Sequence, residues 1–170
     1  FGAVPISAAY YGYTPLYSAS INGHQKVVEC LVTAGAEINY TTTEGRTPLY
    51  AASINAHEKV VEYLVTVGAD INSSTNDGKT PLYVASQNGH EKVVEYLVTV
   101  GAEINSATSD GWTPLHVASF SGHQKVVECL VTVGAEINRV DNLGRTPLYI
   151  ASFNGHENVV EYLEAVGAEI

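Results

Sequence analysis

The chain has 170 residues, of which 45% are apolar and 15% charged, and its 18 acidic and 8 basic side chains give a net charge of −10. This balance excludes a disordered chain, which would be apolar-poor. It also argues against a nucleic-acid partner and an anionic membrane surface, both of which call for a positive field.

Thr-Pro-Leu begins at Thr14, Thr47, Thr80, Thr113 and Thr146, a constant step of 33 residues. His24, His57, His90, His123 and His156 keep the same step, as do the Gly-Ala pairs from Gly35 to Gly167. One domain over residues 1–170 is expected, with units at 10–42, 43–75, 76–108, 109–141 and 142–170. Residues 1–9 continue the register backwards as the tail of a preceding unit, because Phe1-Gly2-Ala3 falls where Ala34-Gly35-Ala36 falls one unit later. With Met absent as well, a piece of a longer array is expected.

The stretch from Asp77 to Ser109 serves as the type unit. Asp77-Gly78 reads as a turn. Thr80 suits a helix N-cap, and Pro81 the first helical position, where its missing N–H costs nothing. Leu82, Ala85 and Ser86 share a helical face, and Asn88-Gly89 ends this first helix. Val93, Val94, Leu97 and Val98 form the apolar face of a second helix that Gly101 ends, and a polar, turn-rich segment follows. The first helix spans about two turns, below the roughly 12–15 residues at which an isolated helix becomes marginal. Each pair must therefore bury its face on its neighbours, which gives an all-α solenoid.

The 33-residue step, Gly-x-Thr-Pro-Leu, Gly-His, Val-Val-x-x-Leu and Gly-Ala-x-Ile-Asn resemble the ankyrin repeat over essentially the whole chain. The resemblance implies antiparallel helix pairs, outward β-turn fingers, a gently curved right-handed stack, and protein binding on its concave side. Three features depart from the family pattern. Tyr17, Tyr50, Tyr83 and Tyr149 stand where the family commonly has His, which only His116 keeps, so any His bond to a neighbouring finger must be remade by phenols or water. Ser20, Ser53, Ser86, Ser119 and Ser152 occupy a common Ala site. Ala56 replaces the Gly before His57, which suggests that this turn does not need positive φ.

No catalytic residue, metal site or cofactor is expected. Histidines in register lie about 8–10 Å apart, too far to share a metal. Cys30 and Cys129, three units apart, cannot form a disulfide with each other and read as partly buried packing residues. Two free thiols fit a reducing compartment, hence an intracellular, cytoplasmic address. The ladders Glu29 to Glu161 and Glu37 to Glu169 read as solvated faces, with a weak preference for a basic partner. The sequons at Asn39 and Asn72 belong to the repeat register, since Asn105 and Asn138 keep the Asn without the Ser or Thr.

Variation stands out against so regular a framework. Before each Thr-Pro sit Tyr13, Arg46, Lys79, Trp112 and Arg145, and two residues earlier Tyr11, Glu44, Asp77, Asp110 and Leu143. One first-helix slot holds Ile21, Ile54, Gln87, Phe120 and Phe153. By resemblance these positions face the groove, and the set is rich in types that anchor interfaces. The expected partner-binding residues are Tyr11, Tyr13, Ile21, Arg46, Ile54, Lys79, Gln87, Trp112, Phe120, Leu143, Arg145 and Phe153. Trp112 with Phe120, flanked by Arg145 and Phe153, is the expected hot spot, and Tyr10, Tyr11 and Tyr13 form an opposing cluster. The leading expectation is a monomeric, non-catalytic scaffold for a protein or peptide. The rival readings are a spacer segment of a larger cytoplasmic or membrane-anchored protein and a designed array. Glu164, in the slot of Val32, Val65, Val98 and Val131, suggests that the fifth unit turns one side to water.

Overall fold

The computed structural model describes residues 10–169, with the backbone alone at Tyr10, so the reading of residues 1–9 lies outside the described residues. After a short turn at Tyr10–Gly12, helices follow in pairs: α1 (Pro15–Ile21) with α2 (Gln25–Thr33), α3 (Pro48–Ile54) with α4 (Glu58–Thr66), and α5 (Pro81–Gln87) with α6 (Glu91–Thr99). Then come α7 (Pro114–Ser121) with α8 (Gln124–Thr132), and α9 (Pro147–Phe153) with α10 (Glu157–Ala165).

Every first helix starts as its sequence dictates. The Thr14, Thr47 and Thr80 hydroxyls each accept the backbone N–H three residues on at 3.1 Å. Proline follows at the first helical position of every first helix. The second helices are amphipathic and turn Val and Leu to the core: Val60, Val61 and Leu64 are buried in α4 and Val93, Val94 and Leu97 in α6, whereas α2 buries Val28 alone. These meet Leu16, Leu49, Leu82, Leu115 and Leu148 of the first helices in one continuous core along the stack. Each fully buried Leu contributes about 1.5–3 kcal/mol, so stability is spread evenly over the units.

The pairs stack in chain order as an all-α solenoid. First helices lie closer to one another than second helices do, which puts the first helices on the inside of the curve. Three hydrogen-bond ladders join the units. At the fingers, the N–H groups of Thr43, Asn76, Ser109 and Asn142 donate to the carbonyls of Tyr11, Glu44, Asp77 and Asp110 at 3.0–3.1 Å. Behind the second helices, Asn39, Asn72, Asn105 and Asn138 accept the N–H groups of Asp70, Glu103, Glu136 and Glu169 at 2.8–3.0 Å. These bonds give the recurrent Asn a structural task. In the third ladder, Nε2 of His57, His90, His123 and His156 meets the carbonyls of Ile21, Ile54, Gln87 and Phe120 at 2.7–3.1 Å.

The helix-to-helix turn corrects the expectation for Ala56. Gly23, Gly89, Gly122 and Gly155 have φ between 70° and 74°, and Ala56 adopts φ 57° in the same left-handed region. The turn is dictated by the two helices it joins and by the His bond across it, so alanine conforms and bears the strain. Cys30 is also corrected, being exposed on the outer helix α2, whereas Cys129 is half-buried, where burial pushes its thiol pKa up. Glu164 is exposed, whereas Val65, Val98 and Val131 in its slot are half-buried against the core.

Candidate functional site

The fingers lie against the inner helices. Beneath them sits a second, smaller core of Tyr50, Tyr83, Val84 and Val117, on which Ile54 and Trp112 pack half-buried. Burial pushes the Tyr83 pKa up to about 12, with the Asp77 and Asp110 carboxylates adding to the shift. That phenol is neutral at any physiological pH.

The second and third fingers satisfy themselves. Arg46 pairs with Glu44 at 2.8 Å and lies over the Tyr50 ring, 5.7 Å from its centroid. Lys79 pairs with Asp77 at 2.9 Å, and the Thr75 hydroxyl donates to the same carboxylate. The bonds from Thr75 and Lys79 hold the Asp77 pKa below 3.8. Arg46 and Lys79 are thus already neutralised by their own fingers.

The fourth and fifth fingers are built differently. Thr42, Thr75 and Thr108 each accept the N–H four residues on, at 3.2, 2.9 and 3.1 Å. The fifth unit has Asp141 in that place, with its side chain only 1% exposed. Its Oδ1 accepts the N–H groups of Leu143 and Arg145, both at 2.9 Å. Its Oδ2 accepts Arg145 Nε at 2.8 Å and Trp112 Nε1 at 3.0 Å, and lies 2.6 Å from an Arg145 terminal nitrogen. Burial alone would raise the Asp141 pKa, but the bonds from Arg145 and Leu143 outweigh it and hold the group below 3.8.

Asp141 therefore clamps two neighbouring units together. The Arg145 guanidinium lies over the Trp112 ring, 5.6 Å from its centroid, and Phe120 meets that ring edge-on at 5.4 Å. Below Trp112, His116 is fully buried. Its Nδ1 accepts the Thr113 N–H at 3.2 Å, which leaves the proton on Nε2 to donate to the Arg145 carbonyl at 3.2 Å. This is the His bond to the neighbouring finger. Burial pushes the Tyr17 phenol pKa up, and the Arg46 cation of the neighbouring finger opposes that rise.

The expected hot spot is thus assembled in part. Trp112, Phe120 and Arg145 form one cluster with Asp141, a residue the sequence reading passed over although Thr42, Thr75 and Thr108 marked its slot as changed. Phe153 does not join that cluster but stacks on Tyr149, with ring centroids 6.2 Å apart, and is 79% exposed. Leu143 at the fifth fingertip is 75% exposed, and Phe120 is exposed on α7. Tyr149 is itself 41% exposed, whereas Tyr17, Tyr50 and Tyr83 in the same slot are buried under the next unit. In the variable first-helix slot, Ile21 and Ile54 are half-buried, and Gln87, Phe120 and Phe153 are exposed.

At the other end of the stack Tyr13 packs on Tyr17 with centroids 5.1 Å apart, and Tyr11 is exposed with φ 75°. The side chain of Tyr10, the third member of the expected opposing cluster, lies outside the described residues. Among the described residues no helix is long and apolar enough to cross a membrane.

The family model described as "Ankyrin repeats (3 copies)" matches residues 34–108 and 100–170, and the model described as "Ankyrin repeat" matches residues 11–43. The comparison with curated proteins finds no match.

Proposed function

The chain belongs to the ankyrin-repeat family, a family of protein–protein interaction modules, and from that premise we propose that it is a non-catalytic scaffold that binds a protein segment along its fingers and inner helices, chiefly at units four and five. One observation carries this reading. Phe120 is exposed beside a Trp112 ring held from two sides by Asp141 and Arg145, and Leu143, Tyr149 and Phe153 are exposed on the next unit. Exposed aromatic and aliphatic groups on a preformed support can be covered with little loss of conformational entropy on this side of the complex. The polar remainder of the inner face, self-paired at Arg46–Glu44 and Lys79–Asp77, suits the rim. The free thiols of Cys30 and Cys129 support an intracellular address.

The near identity of the units would also suit a passive spacer, but a spacer needs neither the clamp at Asp141 nor the exposed aromatics beside it. The test replaces Trp112 and Phe120 by Ala and follows affinity for a captured partner together with the melting temperature. Loss of the two anchors is expected to weaken binding by at least about 30-fold, since hot-spot truncations cost about 2 kcal/mol or more. Unchanged binding in a folded double variant would end the groove assignment.

A further inference from the structure

Two of the five fingers carry a pattern of acid, glycine and base, and only the fourth keeps the acid without the base. In the second and third, Glu44-Gly45-Arg46 and Asp77-Gly78-Lys79 close acid–base pairs at 2.8 and 2.9 Å. The fourth finger reads Asp110-Gly111-Trp112, so the base is missing. The fifth reads Leu143-Gly144-Arg145, and its base turns to Asp141. Among the described residues no cation pairs with the exposed Asp110, whose backbone carbonyl alone is engaged, by Asn142. An unpaired carboxylate thus stands on the fourth finger two residues before Trp112, on which the exposed Phe120 packs, and its carbonyl accepts the N–H of Asn142, next in sequence to the exposed Leu143, in a chain of net charge −10.

Resting on the groove reading above, we propose that the partner segment presents an Arg or Lys side chain flanked by apolar residues, and that this cation pairs with Asp110 while its apolar neighbours cover Phe120 and Leu143. The chain contains its own templates for the contact. Arg46 on Glu44 and over Tyr50 shows how a cation sits between a fingertip acid and an inner-wall aromatic. At the fourth finger the acid remains as Asp110, but Trp112 stands in the slot of Arg46 and Lys79 and His116 in the slot of Tyr50, so the cation comes from outside. Arg145 cannot supply it, because two of its side-chain nitrogens are held on Asp141. An acidic segment would meet the unpaired Asp110 in a chain of net charge −10 and be repelled.

The experiment selects a phage-displayed library of random twelve-residue peptides on the intact chain, then titrates the tightest binders against the emission of Trp112, the sole tryptophan. Basic residues beside apolar ones are expected in every tight binder. Asp110→Asn should weaken these peptides about 10-fold, as loss of a charge-assisted bond does, whereas Glu62→Gln on the outer face should change them less than about twofold. Trp112→Arg, followed by calorimetry, should restore the internal acid–base pair and abolish binding of the basic peptides, with a lower melting temperature because the indole leaves the Asp141 clamp and the finger core. Binders lacking a basic residue, equal affinity for Asp110→Asn, or no peptide that moves the Trp112 emission would overturn the inference. If peptides bind Asp110→Asn unchanged yet fail, by titration calorimetry, on the Trp112→Ala, Phe120→Ala double variant, the groove reading stands and only the charge assignment falls. If they bind that double variant as they bind the native chain, both fall.

Discussion

Asp141→Asn is the substitution with the largest expected effect on the fold. The change preserves the shape of the side chain but turns one carboxylate oxygen into a donor. On Oδ2 converge Arg145 Nε at 2.8 Å, Trp112 Nε1 at 3.0 Å and an Arg145 terminal nitrogen at 2.6 Å, so an NH2 group there would face three donors. The opposite amide orientation would set the NH2 against the N–H groups of Leu143 and Arg145. Breaking a buried pair costs about 3–5 kcal/mol. Because Arg145 remains 34% exposed and can rehydrate, the lower end applies, about 3 kcal/mol. For a domain of this size that is a fall of roughly 6–12 °C in melting temperature. Asp77→Asn is the control, since its carboxylate is half exposed and its loss should cost below about 1 kcal/mol.

Urea unfolding followed by the emission of Trp112 reads both the midpoint and the loss of the indole acceptor. The pH dependence follows from the depressed pKa of Asp141. A carboxylate held below its unfolded value contributes stability that is present above that value, near pH 4, and is lost as pH falls through the folded value. Asp141→Asn should therefore flatten the acid limb of the stability profile. A loss below about 1 kcal/mol with unchanged Trp112 emission would refute the clamp.

Ala56→Gly removes left-handed strain of about 1–2 kcal/mol but returns about 0.4–1 kcal/mol of unfolded-chain entropy. A net gain of about 0.5–1 kcal/mol is expected in urea midpoints, while Gly155→Ala, with no atom within 4 Å of its would-be Cβ, should lose a similar amount. A drop in stability for Ala56→Gly would contradict the assignment of strain to this turn. In the first helices the hydroxyls of Ser53, Ser86 and Ser119 are buried without a partner, whereas Ser20 donates to the Leu16 carbonyl at 2.7 Å. Ser86→Ala should stabilise by about 1 kcal/mol, the usual cost of an unpaired buried hydroxyl, and calorimetry showing a lower melting temperature would refute it.

The period, the helix boundaries and the core were legible because each rests on a local rule repeated five times: Thr before Pro caps, Gly turns, and Val and Leu recur on one face. Which slots vary was legible for the same reason. What the variants do was not, because it depends on partners in other units. Arg46 and Lys79 look like free cations in the sequence, yet each is held by the acid two residues before it. Trp112 and Asp141 are 29 residues apart and meet only because neighbouring fingers stack. Ala56 shows the limit of reading backbone from residue type, since the turn is set by the helices and by His90 on the Ile54 carbonyl, whatever residue occupies it.

The ladders also explain how so uniform a framework tolerates an irregular inner face. His57, His90, His123 and His156 bond the main-chain carbonyls of Ile21, Ile54, Gln87 and Phe120, residues of the variable slot. The finger ladder likewise accepts at the carbonyls of Tyr11, Glu44, Asp77 and Asp110, again variable positions. Because the stack is bonded through the backbone of these residues and not through their side chains, an isoleucine, glutamine or phenylalanine can stand there without altering a ladder bond. The inner face can therefore change its side chains one unit at a time while the inter-unit interface keeps its geometry. Where a side chain does enter the framework, as Asp141 does, the gain is local, because one carboxylate fixes the orientation of Trp112 and Arg145 at the point where the exposed aromatics gather.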